Sequence, residues 1–109
     1  MPLDFNNVFN TLKTGVINLA ETSLKNFVAA ASQDGLAFLE ALKTQLAGWA
    51  QQAAAGALSA SDLAFLIQAQ KDLLALTALK QAGLAQIAAD QFKTDVINLV
   101  TTTLTSLIP

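Results

Sequence analysis

Histidine, cysteine and arginine are all missing from this 109-residue chain. Each absence closes a class of chemistry. Without His or Cys there is no imidazole base, no thiolate nucleophile and no disulfide, and the usual ligands of zinc, copper and haem are gone. Without Arg there is no bidentate clamp for a phosphate or a base edge, and the six lysines are scattered rather than gathered into a stripe. Neither a nucleic-acid partner nor a cofactor is expected. Charge of either sign is scarce: 13% of residues are charged and the net charge is −2, whereas ordinary soluble domains carry roughly a quarter charged residues. The surface must therefore be polar without charge, or partly hidden by association. Proline stands only at Pro2 and Pro109, so none interrupts the interior. The longest uncharged run, 44–61, holds Gln45, Gln51, Gln52, Ser59, Ser61 and two glycines and makes a poor membrane span. The opening residues MPLDFNN lack the basic and apolar regions of a secretory signal, and the expected location is the cytoplasm.

What is present is apolar at 53%, mostly Ala and Leu, two strong helix formers. The length predicts a single helical-bundle domain, 1–109. At about 100° per residue, Phe5, Val8, Phe9, Leu12, Val16, Ile17, Leu19, Ala20, Leu24, Phe27 and Val28 share one broad arc. An arc near half the circumference packs against two neighbours. Asp4 reads as the N-cap of this first helix. The pattern pauses at Ser32-Gln33-Asp34-Gly35, where Ser32 is placed to cap a second helix. Leu39, Leu42, Leu46, Trp49 and Ala53 then share a face, and Gly56 reads as the stop. Ser59 and Asp62 resemble a capping box opening a third helix, with Leu63, Leu66, Ile67, Leu73, Leu74, Leu76 and Leu79 inside. Gly83 either ends that helix or is tolerated within a longer one.

The last segment nearly repeats the first. Residues 12–27, LKTGVINLAETSLKNF, align without a gap to 92–107, FKTDVINLVTTTLTSL. The stretch 96–108 is rich in β-branched residues and leans intrinsically toward strand, and its match to 16–28 is the reason to read it as helix. The expected fold is all-α, an antiparallel up-down-up-down four-helix bundle with helices roughly 4–31, 33–55, 60–82 and 84–107. In that topology the first and last helices are neighbours. The tetrapeptide LAFL, at 36–39 and again at 63–66, extends the internal likeness to the middle pair.

Few residues invite a functional reading. Thr14, Asn18 and Thr22, and their counterparts Thr94, Asn98 and Thr102, form uncharged stripes outside the apolar arcs, candidates for a hydrogen-bonded interface. Trp49, the sole Trp, is a further interface candidate. Lys13 and Lys93 fall within apolar arcs, where a butyl stem packs and the ammonium reaches the rim; both are candidate anchors for an anionic apolar ligand, and Asp90 is spaced to pair with Lys93. Glu21 with Lys25 and Glu40 with Lys43 read as helix-surface ion pairs, and Asp4, Asp34 and Asp62 as helix-start residues complementing the dipole. Ser and Thr are plentiful, but no base is placed to activate them. Neither a catalytic nor a metal-binding constellation is visible. The expected function is non-enzymatic: a helical interaction or scaffold protein that forms homo-oligomers through its Ala-rich and Thr/Asn faces. The alternative is binding of an apolar or anionic lipid, a fatty acid or a hydrophobic granule surface. In composition alone the chain is similar to phasin-like granule coats and helical lipid carriers.

Overall fold

Asp4 caps the first helix as its position predicts, its carboxylate accepting the Asn6 N–H at 3.0 Å. In the computed structural model, which describes residues 4–109, six α-helices follow: α1 Phe5–Ser23, α2 Val28–Ala41, α3 Lys43–Ala54, α4 Ala60–Gln68, α5 Thr77–Gln81 and α6 Gln86–Thr105. Short 3-10 turns at Lys25–Phe27 and Lys71–Leu73 complete the order, and no strand occurs among the described residues. Met1, Pro2 and Leu3, part of the segment searched for a leader, lie outside those residues. The all-α class holds, but the count of four helices does not, and each miscounted boundary has a tertiary cause.

The first expected helix stops at Ser23, not near 31. Leu24 leaves helical geometry (φ −132°, ψ 58°) while its side chain stays buried, and the chain turns so that α2 packs back along α1. Helix α2 then runs straight through the expected break at Ser32-Gln33-Asp34-Gly35. Ser32 caps nothing there. Gly35 is buried, and a methyl group at its position would overlap Val16 Cγ1. The missing side chain is what lets α1 and α2 approach, so packing overrides the poor helix propensity of SQDG. Asp34 does start a helix, but not its own. Its two carboxylate oxygens accept the N–H groups of Ala78 at 3.0 Å and Leu79 at 2.8 Å, capping α5 from 44 and 45 residues away.

The second expected helix is divided at Leu42 (φ −99°, ψ 3°), a fully buried hinge between α2 and α3. Gly56 ends α3 as read. At φ +78° it takes the left-handed conformation open to glycine, with Gly56 N–H donating to Ala53 C=O and Ala57 N–H to Gln52 C=O. These paired bonds satisfy carbonyls that a helix end leaves free. The same two bonds recur at Gly83 (φ +89°), from Gly83 to Lys80 and from Leu84 to Leu79. Gly83 therefore ends a helix rather than bending one. The third expected helix is the least regular in fact: α4 ends at Gln68, and Leu76, with φ +52°, precedes the five-residue α5. Leu73, assigned to the interior, is 55% exposed, and Leu66 is half-buried.

Helix α1 is the hub. It packs against α2 on one side and α6 on the other, and touches α3; α6 also carries α4 and α3, while α5 has α2 as its principal neighbour. The expected adjacency of the two matched segments is therefore present. Leu12, Val16 and Ala20 of α1 meet Phe92, Val96, Ile97, Val100 and Leu104 of α6 in a single apolar core, and no polar or charged side chain is buried among the described residues. Each fully buried Leu, Ile or Val in such a core contributes roughly 1.5–3 kcal/mol relative to exposure. This burial holds the β-branched end of the chain helical against its strand preference. The hydroxyl of Thr101 turns back onto Ile97 C=O at 2.9 Å, satisfying itself locally.

Candidate functional site

The polar side of α1 forms one wall of an open groove of about 570 Å³ lined by Asn7, Asn10, Thr11, Thr14, Gly15, Asn18 and Leu99. Helical spacing aligns the Asn and Thr residues, and Gly15 removes the side chain that would fill the floor. Leu99 leans in from α6, so close that a methyl group on Gly15 would lie 2.8 Å from either of its terminal carbons. The hydroxyl of Thr11 is taken up by Asn7 C=O at 3.0 Å. No lining residue titrates. The groove offers hydrogen-bond donors and acceptors over an apolar patch, a surface suited to recognition and not to proton transfer.

Of the two stripes read from sequence, Thr14 and Asn18 meet in this groove, joined by Asn7, Asn10 and Thr11. Thr11 shares the polar side of the first helix with them in sequence, and Asn7 and Asn10 continue the same i, i+3, i+4 row. Thr22 is exposed but outside the lining. The α6 stripe does not join it: Thr94 accepts from Lys71 Nζ at 3.4 Å, while Asn98 and Thr102 are exposed. The matched sequences are thus not matched in environment.

The lysine anchors also separate. Lys13 is half-buried, its Nζ 5.4 Å from the centroid of the Phe9 ring. Lys43, at the start of α3, places its own Nζ 4.9 Å from the same centroid. Two ammonium groups from different helices thus share one ring, which Phe5 extends at 5.7 Å between centroids. Such contacts contribute about 0.5–1 kcal/mol each at exposed sites. Lys43, read as an ion-pair partner of Glu40, lies across the Leu42 break from it. Lys25 likewise falls in the 3-10 turn beyond α1, so its spacing from Glu21 is not helical. Lys93 is half-buried on α6 and is not brought to the Phe9 ring. Asp90, spaced to serve Lys93, accepts instead from Gln86 Nε2 at 2.8 Å.

Trp49 is half-buried against the core. The Ala-rich tract near it works inward: Ala50 and Ala53 are fully buried, so much of its small-residue surface is already used within the molecule. Among the described residues, the large apolar side chains left outside are Phe65 (76% exposed), Ile87 (87%) and Leu73. Phe65 lies on the side of α4 opposite the buried Leu63 and Ile67. Among the described residues no group of three His, Cys, Asp or Glu side chains is placed to hold a metal ion, and no helix is long and apolar enough to cross a membrane. In comparisons with known proteins the chain matches no family model, and neither a similar curated protein nor a similar solved structure is found.

Proposed function

We propose that this protein is a non-enzymatic helical interaction module that self-associates, burying Phe65 and Ile87 in the contact. The observation that carries the reading is the exposure of these two side chains, 76% and 87%, on a surface with few charges to keep copies apart. Aromatic anchors at the centre of a contact supply most of its binding energy. The uncharged α1 groove is a second candidate contact, since its amides and hydroxyls can pair with like groups on a second copy without charge repulsion. Light scattering coupled to size-exclusion chromatography tests the proposal. An oligomer is expected at micromolar concentration, shifting toward monomer in Phe65→Ser. A monomer at ~100 µM, a concentration that would populate even weak contacts, refutes it.

A second reading, binding of an anionic amphiphile, is favoured by the convergence of Lys13 and Lys43 on Phe9. A carboxylate or phosphate headgroup there would neutralise two ammonium groups while its chain lay against the half-buried Phe5. Native mass spectrometry separates the readings: co-purifying amphiphile, lost in Lys13→Met, supports this one, and a clean oligomer mass supports the first.

A further inference from the structure

We propose that residues 69–85 form a cover over α2 that opens as a unit while the rest of the fold stays closed, and that Asp34 is its latch. Independent features meet in this one segment. Helix α5 has five residues, far too few for a helix stable in isolation. It carries no side-chain cap of its own, and the residue before it, Leu76, is the sole described non-glycine with positive φ. That conformation is costly for a residue with a Cβ and persists only where surrounding structure imposes it.

Beyond the hydrogen bond from Lys71 Nζ to Thr94 on α6, 3.4 Å long, the imposing groups are few. Leu74, Leu76 and Leu79 are buried, and the carboxylate of Asp34 holds the first two N–H groups that follow Thr77. These are the cross-segment hydrogen bonds between α2 and α5, and their acceptor is ionised, which makes each stronger than a neutral pair. Packing beside them is incomplete. A cleft of about 250 Å³ separates Gln33, Ala37 and Phe38 on one side from Leu73, Ala75 and Thr77 on the other. Leu73 stands 55% exposed at its edge.

Both ends of the segment are joints outside α-helix. Gln70 and the 3-10 turn Lys71–Leu73 lead in, and left-handed Gly83 leads out. By contrast α1 packs extensively against both α2 and α6. Opening would release the strain at Leu76 and uncover the apolar side of α2 at Phe38, which is 2% exposed when closed. The inference is independent of self-association, because it concerns a surface covered within one chain.

Native-state hydrogen exchange of the full chain, read by mass spectrometry across low guanidinium concentrations, tests it. Amides of 77–84 are expected to exchange at least about tenfold faster than those of α1 and α6, through openings whose denaturant dependence is measurable but smaller than that of global unfolding, because less surface is exposed. Asp34→Asn leaves one acceptor and removes the charge; it should accelerate 77–84 by a further factor of about ten, with α1 and α6 changing less than about threefold. Ser59→Ala, which removes a cap elsewhere, should not accelerate 77–84 selectively. Equal protection of 77–84 and α6 with equal denaturant dependence overturns the proposal, as does uniform acceleration of every segment in Asp34→Asn. If that variant does not fold, the denaturant dependence of the unaltered chain decides.

Discussion

Two glycines in helix interiors make a stringent test of the packing, because the same substitution should have opposite effects. Gly48 lies in α3 with nothing within 4 Å of the position a methyl group would occupy. Gly48→Ala should therefore realise the whole helix-propensity gain, about 0.8–1 kcal/mol. Gly35 in α2 would gain the same amount, but its methyl group meets Val16 Cγ1, with Val16 Cβ at 3.6 Å and Cγ2 at 3.7 Å. Val16 is fully buried, and a β-branched side chain in a helix has one strongly preferred rotamer. It cannot swing aside, so α1 and α2 must separate. Overpacking of this kind costs about 1–3 kcal/mol, and an overlap against a stiff partner belongs near the upper end. The expected net loss for Gly35→Ala is about 1–2 kcal/mol after the propensity gain is subtracted. Urea unfolding followed by circular dichroism and Trp49 fluorescence would measure both variants. Near this chain length 1 kcal/mol moves Tm by about 4 °C or more, so the two proteins should melt on opposite sides of the parent. Combining Gly35→Ala with Val16→Ala should recover at least about 1 kcal/mol relative to additivity. If Gly35→Ala is as stable as Gly48→Ala, the close approach of α1 and α2 is wrong.

Other outcomes follow from the same structure. Ser59→Ala removes the hydroxyl that accepts the Asp62 N–H at 3.1 Å and should cost about 0.5–2 kcal/mol in urea unfolding. The Ser59 backbone N–H donating to the Asp62 carboxylate holds that carboxyl below the usual range, with the Ser59 hydroxyl adding to the effect and slight desolvation opposing it. A carboxyl with a lowered folded pKa contributes stability above its unfolded value, near pH 4, and loses it as pH falls through the folded value. Asp62→Asn should accordingly flatten the acid limb of Tm against pH below about 4, and an unchanged limb would count against the cap. Leu104→Ala, at a fully buried position on α6, should cost about 2–5 kcal/mol by denaturant unfolding. Lys13→Met should change Tm little, because the apolar stem is kept and the lost cation–π contact, about 0.5–1 kcal/mol, is offset by removing a positive charge near Lys43; a fall of more than about 4 °C would make the ammonium itself structural.

The candidate site was partly legible. Thr14 and Asn18 could be found because a helical stripe is a local, periodic signal, and Asn7, Asn10 and Thr11 belong to the same signal and were readable in principle. That Leu99 and Gly15 shape the groove was not readable, since it depends on where α6 crosses α1. The pairing of Lys13 with Lys43 was hidden for a similar reason: it needs the hinge at Leu42, and Leu42 looks in sequence like any core leucine. Asp34 was recognised as a helix-start residue but given to the wrong helix, because a side chain carries no record of which backbone it will cap.

The sequence by itself determined what is set by short-range physics. Ala and Leu content with 3.6-residue periodicity made the chain helical. Asp4, and Ser59 with Asp62, started helices because their oxygens reach N–H groups two or three residues away along the chain. Gly56 and Gly83 ended them because each adopts a positive φ at little cost. Tertiary structure alone decided where helices stop without such signals, at Leu24, Leu42 and after Gln68, and where one continues despite a stop signal, at Gly35. The two copies of LAFL show the division most plainly. Phe38 in the first is 2% exposed and Phe65 in the second 76%, although their immediate neighbours are identical. Burial belongs to whatever packs across from a residue, and α1 and α5 lie over α2 while, among the described residues, none covers the outer side of α4 at Phe65.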